Sequence, residues 1–436
     1  MDSSKLIYLV VALLFSGLVS FTVTPMVRVF AFRIGAIDVP RDGRRMHDHP
    51  IPRVGGLAIF LGFLSATMIF CDYSPALLAL WIGGLGIVCM GVLDDIYSLH
   101  PLAKFAVQLL MALIAVSQGL TLEFITLFGK YYPLGVFSIP VTVLWIIGLT
   151  NAINLIDGLD GLSCGVSAIC SSSLVIIMIL KGDIASALVT AIIVGACLGF
   201  LPFNTNPAKI FMGDTGAQFL GYAMALISIQ GLFKFHTLVS FLIPLSIFGL
   251  PLVDTVFAFF RRIFKGQNPF QGDRGHIHHR LIDLGFNQKQ SVAILYAICA
   301  ILGIAAILLC CEFYWRAAVV ILVGFVILFF SFCVLRNQTA RDLAGLDLHD
   351  PVMPEEAEEE EEEGEKVDLS TENLVIPDDD EASASMEAPL RRIAKSRAKK
   401  HPEPIPSDSA LPAAASVSME EQTKASGNDE TETKEG

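Results

Sequence analysis

Eleven apolar runs constrain this chain more than any other feature, because most are long enough to cross a bilayer as a helix. They lie at roughly 6–27, 54–71, 76–93, 102–119, 138–154, 163–180, 184–201, 217–232, 237–260, 290–311 and 315–335. A hydrocarbon layer about 30 Å thick needs about 20 apolar residues in helical form. The expected fold is an all-α polytopic membrane protein with about 11 transmembrane helices. An odd number of crossings puts the termini on opposite sides. Arg28, Arg33, Arg41, Arg44, Arg45 and Arg53 follow the first run. Arg261, Arg262, Lys265, Arg274, Arg280 and Lys289 follow the ninth. Both connections are cytoplasmic by the positive-inside rule, which places the N-terminus outside and the C-terminus in the cytoplasm. Lys5 is offset by Asp2 and the positive charge comes after the first run, so that run is expected to remain as an uncleaved span.

Charge divides the chain in two. Its formal charge is −13, yet residues 341–436 hold 27 acidic and 10 basic residues, and residues 1–340 carry a net +4. A transmembrane catalytic domain over 1–336 is therefore expected, followed by an acidic, disordered cytoplasmic tail over 337–436. Glu355–Glu365 is almost continuous acid, and a basic patch spans Arg391–Lys400. Solvation is the simpler reading of that patch; contact with anionic headgroups is the alternative. The nine cysteines sit in or beside apolar runs without metal-ligand spacing and read as small hydrophobes. The stretch 120–137 has the pattern of a small β-hairpin.

Polar residues gather where the apolar runs end, all on the side assigned to the cytoplasm. A charge next to hydrocarbon costs roughly 2.5–3.5 kcal/mol and is a functional candidate by default. Asp94 and Asp95 close the third run, where two carboxylates oppose the helix dipole unless a cation relieves them. Lys104 begins the fourth run and either snorkels to the interface or contacts phosphate. Asn151 and Asn154 are three apart on one helix face; Gly158 and Gly161 then break the helix and set Asp157 and Asp160 on a tight turn. Such amide and carboxylate oxygens are what Mg2+ prefers. Gly213-Asp214-Thr215-Gly216 puts a carboxylate on a turn before the eighth run, where Asp214 or Thr215 is also a plausible N-cap. His276, His278 and His279 lie in the longest cytoplasmic loop among Asp273, Arg274 and Arg280; the arginines fit a phosphate site better than a second cation. Asp254, inside the ninth run, either pairs within the bundle or faces the site.

These motifs, in this order, resemble the polyprenyl-phosphate N-acetylhexosamine-1-phosphate transferases. The residues that carry the resemblance are Asp94-Asp95, the Asn-x-x-Asn-x-x-Asp-Gly-x-Asp-Gly run at 151–161, Asn204, Phe211-Met-Gly-Asp214, Pro251-x-x-Asp254 and His-Ile-His-His. The resemblance covers about 1–335. It implies that a UDP-N-acetylhexosamine gives its sugar-1-phosphate to undecaprenyl phosphate, with Mg2+ as cofactor and release of UMP. By position it implies Asn154 and Asp214 as metal ligands. Asp94, Asp95, Asp157, His276, His278 and His279 would line the reacting phosphates, and Lys104, Asn151, Asp160, Asn204 and Phe211 would contact substrate. Pro52-Arg-Val-Gly-Gly56 and the His-Ile-His-His loop look like the N-acetylglucosamine-1-phosphate branch, which starts teichoic acid, lipopolysaccharide O-antigen or related glycans. The phospho-N-acetylmuramoyl-pentapeptide transferases of peptidoglycan synthesis are the alternative branch.

The implied setting is a bacterial plasma membrane with a cytoplasmic active site. Expected partners are the two substrates and membrane lipids, with no nucleic acid and with a homodimer as an option for assembly. Because a phosphate monoester has its second pKa near 6, the acceptor is already largely dianionic. Direct in-line attack is expected, Asp94 or Asp95 orienting the nucleophile or taking its residual proton; a covalent aspartyl intermediate is the rival. A transporter is the rival class, but transporter sites tend to sit near the midplane, whereas these motifs cluster at one face.

Overall fold

A computed structural model of the chain describes residues 3–39, 50–127, 130–231, 242–266 and 275–346. Its elements are, in order, α1 (Ser3–Ile34), β1 (Ile37–Asp38), β2 (Ile51–Pro52), α2 (Gly56–Phe70), α3 (Pro75–Tyr97), α4 (Pro101–Ser117), β3 (Phe124–Leu127), β4 (Lys130–Pro133), α5 (Ser138–Leu155), α6 (Leu162–Leu180), α7 (Ile184–Asn204), α8 (Gly213–Gly231), α9 (Leu242–Ile247), α10 (Gly249–Phe264), α11 (Ile277–Asp283), α12 (Gln288–Cys310) and α13 (Tyr314–Leu346). Seven of the described helices, α1, α3, α5, α6, α7, α12 and α13, are long and apolar enough to cross a membrane, and α2 and α4 are shorter apolar helices. The chain is thus an all-α, multi-pass membrane protein in architecture. Arg41, Arg44, Arg45, Asp273, Arg274 and the tail beyond Leu346, with its basic patch, lie outside the described residues.

Buried small residues let the helices approach closely. The inner face of α1 is Leu9, Ala12, Ser16, Ser20, Thr24, Val27 and Ala31, at helical spacing. It crosses α7 at Gly195 and Gly199, where a Cβ would drive into the backbone oxygens of Leu13 and Gly17. The Ser16 hydroxyl donates to the Ile192 carbonyl at 2.8 Å across the same contact. Helices in lipid gain little from burying apolar area against each other, so close packing and such hydrogen bonds hold them together.

Helix α8 stands at the centre. Sixteen residues from Thr215 to Gly231 are buried, and it packs against α2, α3, α5, α6 and α7. Protein rather than lipid surrounds it, so its sequence can carry Gln218, Tyr222 and Ser228 provided each is hydrogen-bonded. Tyr222 donates to the Ala79 carbonyl at 3.1 Å, and Ser228 accepts from the Trp145 indole at 2.9 Å.

Three features differ in detail from the sequence expectation or complete it. The ninth run is not one continuous helix: α9 stops at Ile247 and α10 starts at Gly249. Pro251 lies in the first turn of α10, where its missing N–H breaks no helical bond. Helix α10 turns Leu250, Pro251, Asp254, Ala258 and Arg262 inward and leaves Val253, Val256, Phe257, Phe260 and Phe264 exposed. Its polar side thus faces protein and its apolar side faces outward. Secondly, α13 runs to Leu346, past the boundary expected at 336. Thirdly, the hairpin is present, β3 and β4 pairing antiparallel from Phe124↔Pro133 to Leu127↔Lys130. All nine cysteines are thiols.

Candidate active site

The ends of α3 and α5 and the starts of α4 and α8 converge. From α3 come Asp94 and Asp95, from α4 Lys104 and Gln108, from α5 Asn151 and Asn154, and from α8 Asp214 and Gln218. The Lys104 ammonium sits between two carboxylates, 2.8 Å from Asp94 Oδ2 and 2.9 Å from Asp214 Oδ2. Asn154 Nδ2 donates to the other oxygen of Asp214 at 3.1 Å. Asp94 also accepts the Leu99 backbone N–H at 2.7 Å, where α3 has ended. The cation that two acids at a helix C-terminus require is therefore the lysine of the next helix.

Asp95 has a different task. It accepts the Asp214 N–H at 3.1 Å, the Thr215 N–H at 3.2 Å and the Thr215 hydroxyl at 2.7 Å. Neither Asp214 nor Thr215 caps α8 with its own side chain in these contacts. Asp95, brought from α3, takes the first-turn donors instead, and its negative charge suits the helix N-terminus.

Asp157 lies on the turn between α5 and α6. Loss of hydration in its surroundings pushes its carboxyl well above the usual range. Asp214 and Asp95 add to the effect, and Arg53 opposes it. Arg53 is held by Asp38 at 3.1 Å. It belongs to a segment clasped onto the Phe211 loop: Phe211 N–H donates to the Pro52 carbonyl, and Gly55 and Gly56 donate to the carbonyls of Phe211 and Met212, each at 2.9 Å. Val54, in the middle of that segment, has φ +64°, a costly conformation for a β-branched residue.

Asp160, Asn204 and Phe211 frame this centre through the loop between α7 and α8. Asp160 Oδ2 accepts from Asn206 Nδ2 at 3.0 Å and from the Ala208 N–H at 3.1 Å. Asn204, buried, donates to the Ile210 carbonyl at 3.1 Å, and its Oδ1 has no partner among the described residues. Phe211 is half-buried, its backbone joined to Pro52 and Gly55.

The histidines reach the Asp157 turn from the other side. Asp254 accepts the Ile277 N–H at 2.9 Å and pairs with His276 Nδ1 at 2.9 Å, so its partners are in the histidine loop. Arg261 donates to the Gly275 carbonyl at 2.7 Å, so α10 anchors the loop twice. His276 and His278 stack with ring planes 6° apart, and His278 meets His279 with centroids 4.3 Å apart. A Cβ on Gly158 would collide with His278 Nε2, so only glycine lets the ring lie against this turn. That nitrogen is buried and has no hydrogen-bond partner among the described residues. Burial, followed by His279 and His276, lowers the His278 pKa to about 4 against the pull of Asp254, so the ring is neutral at pH 7.

The chemistry of the donor set fits Mg2+. Among the described residues no three His, Cys, Asp or Glu side chains form a closed metal cage. Mg2+ commonly binds one or two carboxylates and completes its shell with water and substrate phosphate. A protein cation already stands between Asp94 and Asp214, with an asparagine alongside.

Sequence reasoning overlooked Gln108, Gln218 and the placement of Arg53. A usable signal existed for the glutamines, which follow Lys104 and Asp214 by four residues, one helical turn, inside apolar runs.

Over residues 77–232 the chain matches glycosyl transferase family 4. It is 41% identical over 326 residues to a probable undecaprenyl-phosphate N-acetylglucosaminyl 1-phosphate transferase of Bacillus subtilis, covering 74% of this chain and 91% of that protein. It is 32% identical to the decaprenyl-phosphate N-acetylglucosaminephosphotransferase of Mycolicibacterium smegmatis, covering 67% and 79% respectively. With the undecaprenyl-phosphate alpha-N-acetylglucosaminyl 1-phosphate transferase of Thermotoga maritima it shares 31% identity, over 74% of this chain and 98% of that one.

Proposed function

The chain belongs to glycosyl transferase family 4, and we propose that it transfers N-acetylglucosamine-1-phosphate from UDP-N-acetylglucosamine to undecaprenyl phosphate. UMP leaves, and undecaprenyl-diphosphate-N-acetylglucosamine remains in the membrane. The observation that carries this reading is the cation held between Asp94 and Asp214 at the meeting of apolar helices. Chemistry that joins two anions beside lipid needs such a place. The relatives' names favour this donor over the muramoyl-pentapeptide alternative.

Asp214 and Asn154 would hold Mg2+, which when bound offsets the negative charge of the donor pyrophosphate. An oxygen of the lipid phosphate attacks the donor β-phosphorus; the bond from that phosphorus to the bridging oxygen breaks, and the electron pair leaves with UMP. Lys104, beside both acids, counters the repulsion between the two substrates. Both carboxylate oxygens of Asp95 are engaged in capping α8, so Asp94 is the better placed of the pair to orient the nucleophile. Asp157 and the histidine loop border the reacting phosphates. We further propose eleven crossings in all, with this site at the cytoplasmic face of a bacterial plasma membrane; the arginines flanking it support that reading by the positive-inside rule.

The test is UMP release by the purified protein in detergent with undecaprenyl phosphate, Mg2+ and either UDP-N-acetylglucosamine or UDP-N-acetylmuramoyl-pentapeptide. Turnover with the first donor, lost on chelation and in Asp214→Ala, is the expected result. Turnover with the second donor alone would move the protein to the other branch.

A further inference from the structure

Beneath the carboxylates lies a chain of three side-chain amides to which the proposed mechanism gives no part. Asn151 Nδ2 donates to Gln108 Oε1 at 2.8 Å, Gln108 Nε2 donates to Gln218 Oε1 at 2.8 Å, and Gln218 Nε2 donates to Asp214 Oδ2 at 3.0 Å. Gln108 and Gln218 are 3% and 1% exposed, among helices whose other residues are largely apolar. We infer that Gln108 and Gln218 are positioning residues that fix the Asp214 carboxylate for cation binding, an inference that rests on the reading of Asp214 as a ligand.

The two ends of the chain determine the direction of every bond in it. At one end Asn151 Nδ2 also donates to the Ile147 carbonyl at 2.8 Å, and a carbonyl can only accept. At the other end an ionised carboxylate can only accept, so Gln218 must present its NH2 group. Gln218 then offers its oxygen to Gln108, which must answer with nitrogen and turn its own oxygen to Asn151. Flipping any one amide sets donor against donor and acceptor against acceptor. In a buried setting each such mismatch leaves groups unsatisfied, at a cost of about 1–3 kcal/mol. The result is a single arrangement in which Asp214 Oδ2 always receives an N–H from below.

This separates the two asparagines of α5. Asn151 is locked by both neighbours. The Asn154 side chain has one hydrogen bond among the described residues, to Asp214, and is partly accessible. It alone can turn its oxygen toward an arriving cation while the rest of the chain holds Asp214 still. Partners behind a ligand commonly change metal affinity 10–100-fold when removed.

Gln218→Met and Gln108→Met keep side-chain volume and remove the amide. The full-length protein in detergent would be titrated with Mn2+ alone, bound ion being read by electron paramagnetic resonance, and thermal unfolding would be followed in parallel. Gln218→Met should raise the Mn2+ concentration at half-saturation about tenfold, and Gln108→Met should raise it less. The double variant should match Gln218→Met, because the chain is already cut. Should Gln218→Met not fold, Gln108→Met, one amide further from Asp214, carries the same comparison. Unchanged Mn2+ binding with a lowered unfolding temperature would overturn the inference and leave the glutamines as packing. So would single effects that multiply in the double variant. Wild-type Mn2+ affinity in Asp214→Asn would instead overturn the cation reading beneath it.

Discussion

Where α3 and α7 begin, each helix is capped by its own residue. Ser74 accepts the Leu77 N–H at 3.1 Å, and Asp183 accepts the Ser186 N–H at 3.1 Å, three positions along in each case. At the opposite end His100 and Asn287 still cap their own helices, α4 and α12, but two further helix starts are capped from elsewhere. Asp95 serves the first turn of α8, 119 and 120 positions away, and Asp254 serves Ile277 at the start of α11. The packing differs too. Near the self-capped ends is a cavity of about 690 Å3, bordered by Lys5, Tyr8, Phe70, Asp72, Leu188 and Gln230. At the far ends a smaller cavity of about 230 Å3 lies beside Asp160, Asn206 and Tyr296, and many of the polar side chains there bond to one another. Local caps stabilise one helix at a time. Caps supplied by another helix bring two helices into register, and a reaction centre assembled from several helices depends on that register.

The contrast is open to direct attack. Asp95→Ala should be the most damaging change, because it strands buried donors at the start of the central helix. We expect a loss of about 3 kcal/mol in stability and a fall of more than about a hundredfold in UMP release, with Asp95→Asn intermediate; near-normal turnover in Asp95→Ala would remove the distinction between the two ends. Asp254→Ala should come next. Freed from α10, the histidine loop should lower kcat about tenfold or more, and Asp254→Asn, which still accepts from Ile277, should recover part of it; equal losses in the two variants would show that the hydrogen bond is immaterial.

A third test uses pH. His278 binds its proton near pH 4 in the folded protein and near 6.5 when unfolded. The unfolded chain therefore takes up the proton first, and the His278 contribution is full above pH 6.5 and declines as pH falls towards 4. The unfolding temperature of His278→Leu should fall less over that window than that of the wild type; parallel curves would count against a buried neutral ring. The smallest effect belongs to the self-capped end. Asp183→Ala should cost about 1 kcal/mol and leave UMP release unchanged. Lost activity in that variant would mean that the two ends are coupled.

The same contrast explains what could be read from the sequence. The apolar runs located the helices because a membrane-sized helix is determined by its own residues. Asp94, Lys104, Asn154 and Asp214 stood out because charge and amide groups at the ends of such runs are costly, and the structure gathers them. The role of Asp95 was not legible, since nothing near it in sequence reveals that α8 needs a cap. The amide of Asn151 is bonded to Gln108 and Ile147, and its partner in α4 could not be named from α5 alone. The break before Gly249 was foreshadowed by Gly249 and Pro251, but continuous apolarity masked it. Arg53 joined the centre only through backbone pairing with the Phe211 loop, a contact across more than 150 residues.

The lysine between Asp94 and Asp214 has a practical corollary. Many small metal sites collapse when stripped, because like charges are left facing one another. Here the protein carries its own counter-ion, so a chelator should silence the enzyme and leave its scaffold standing. Activity should then return on adding the ion back, without a refolding lag.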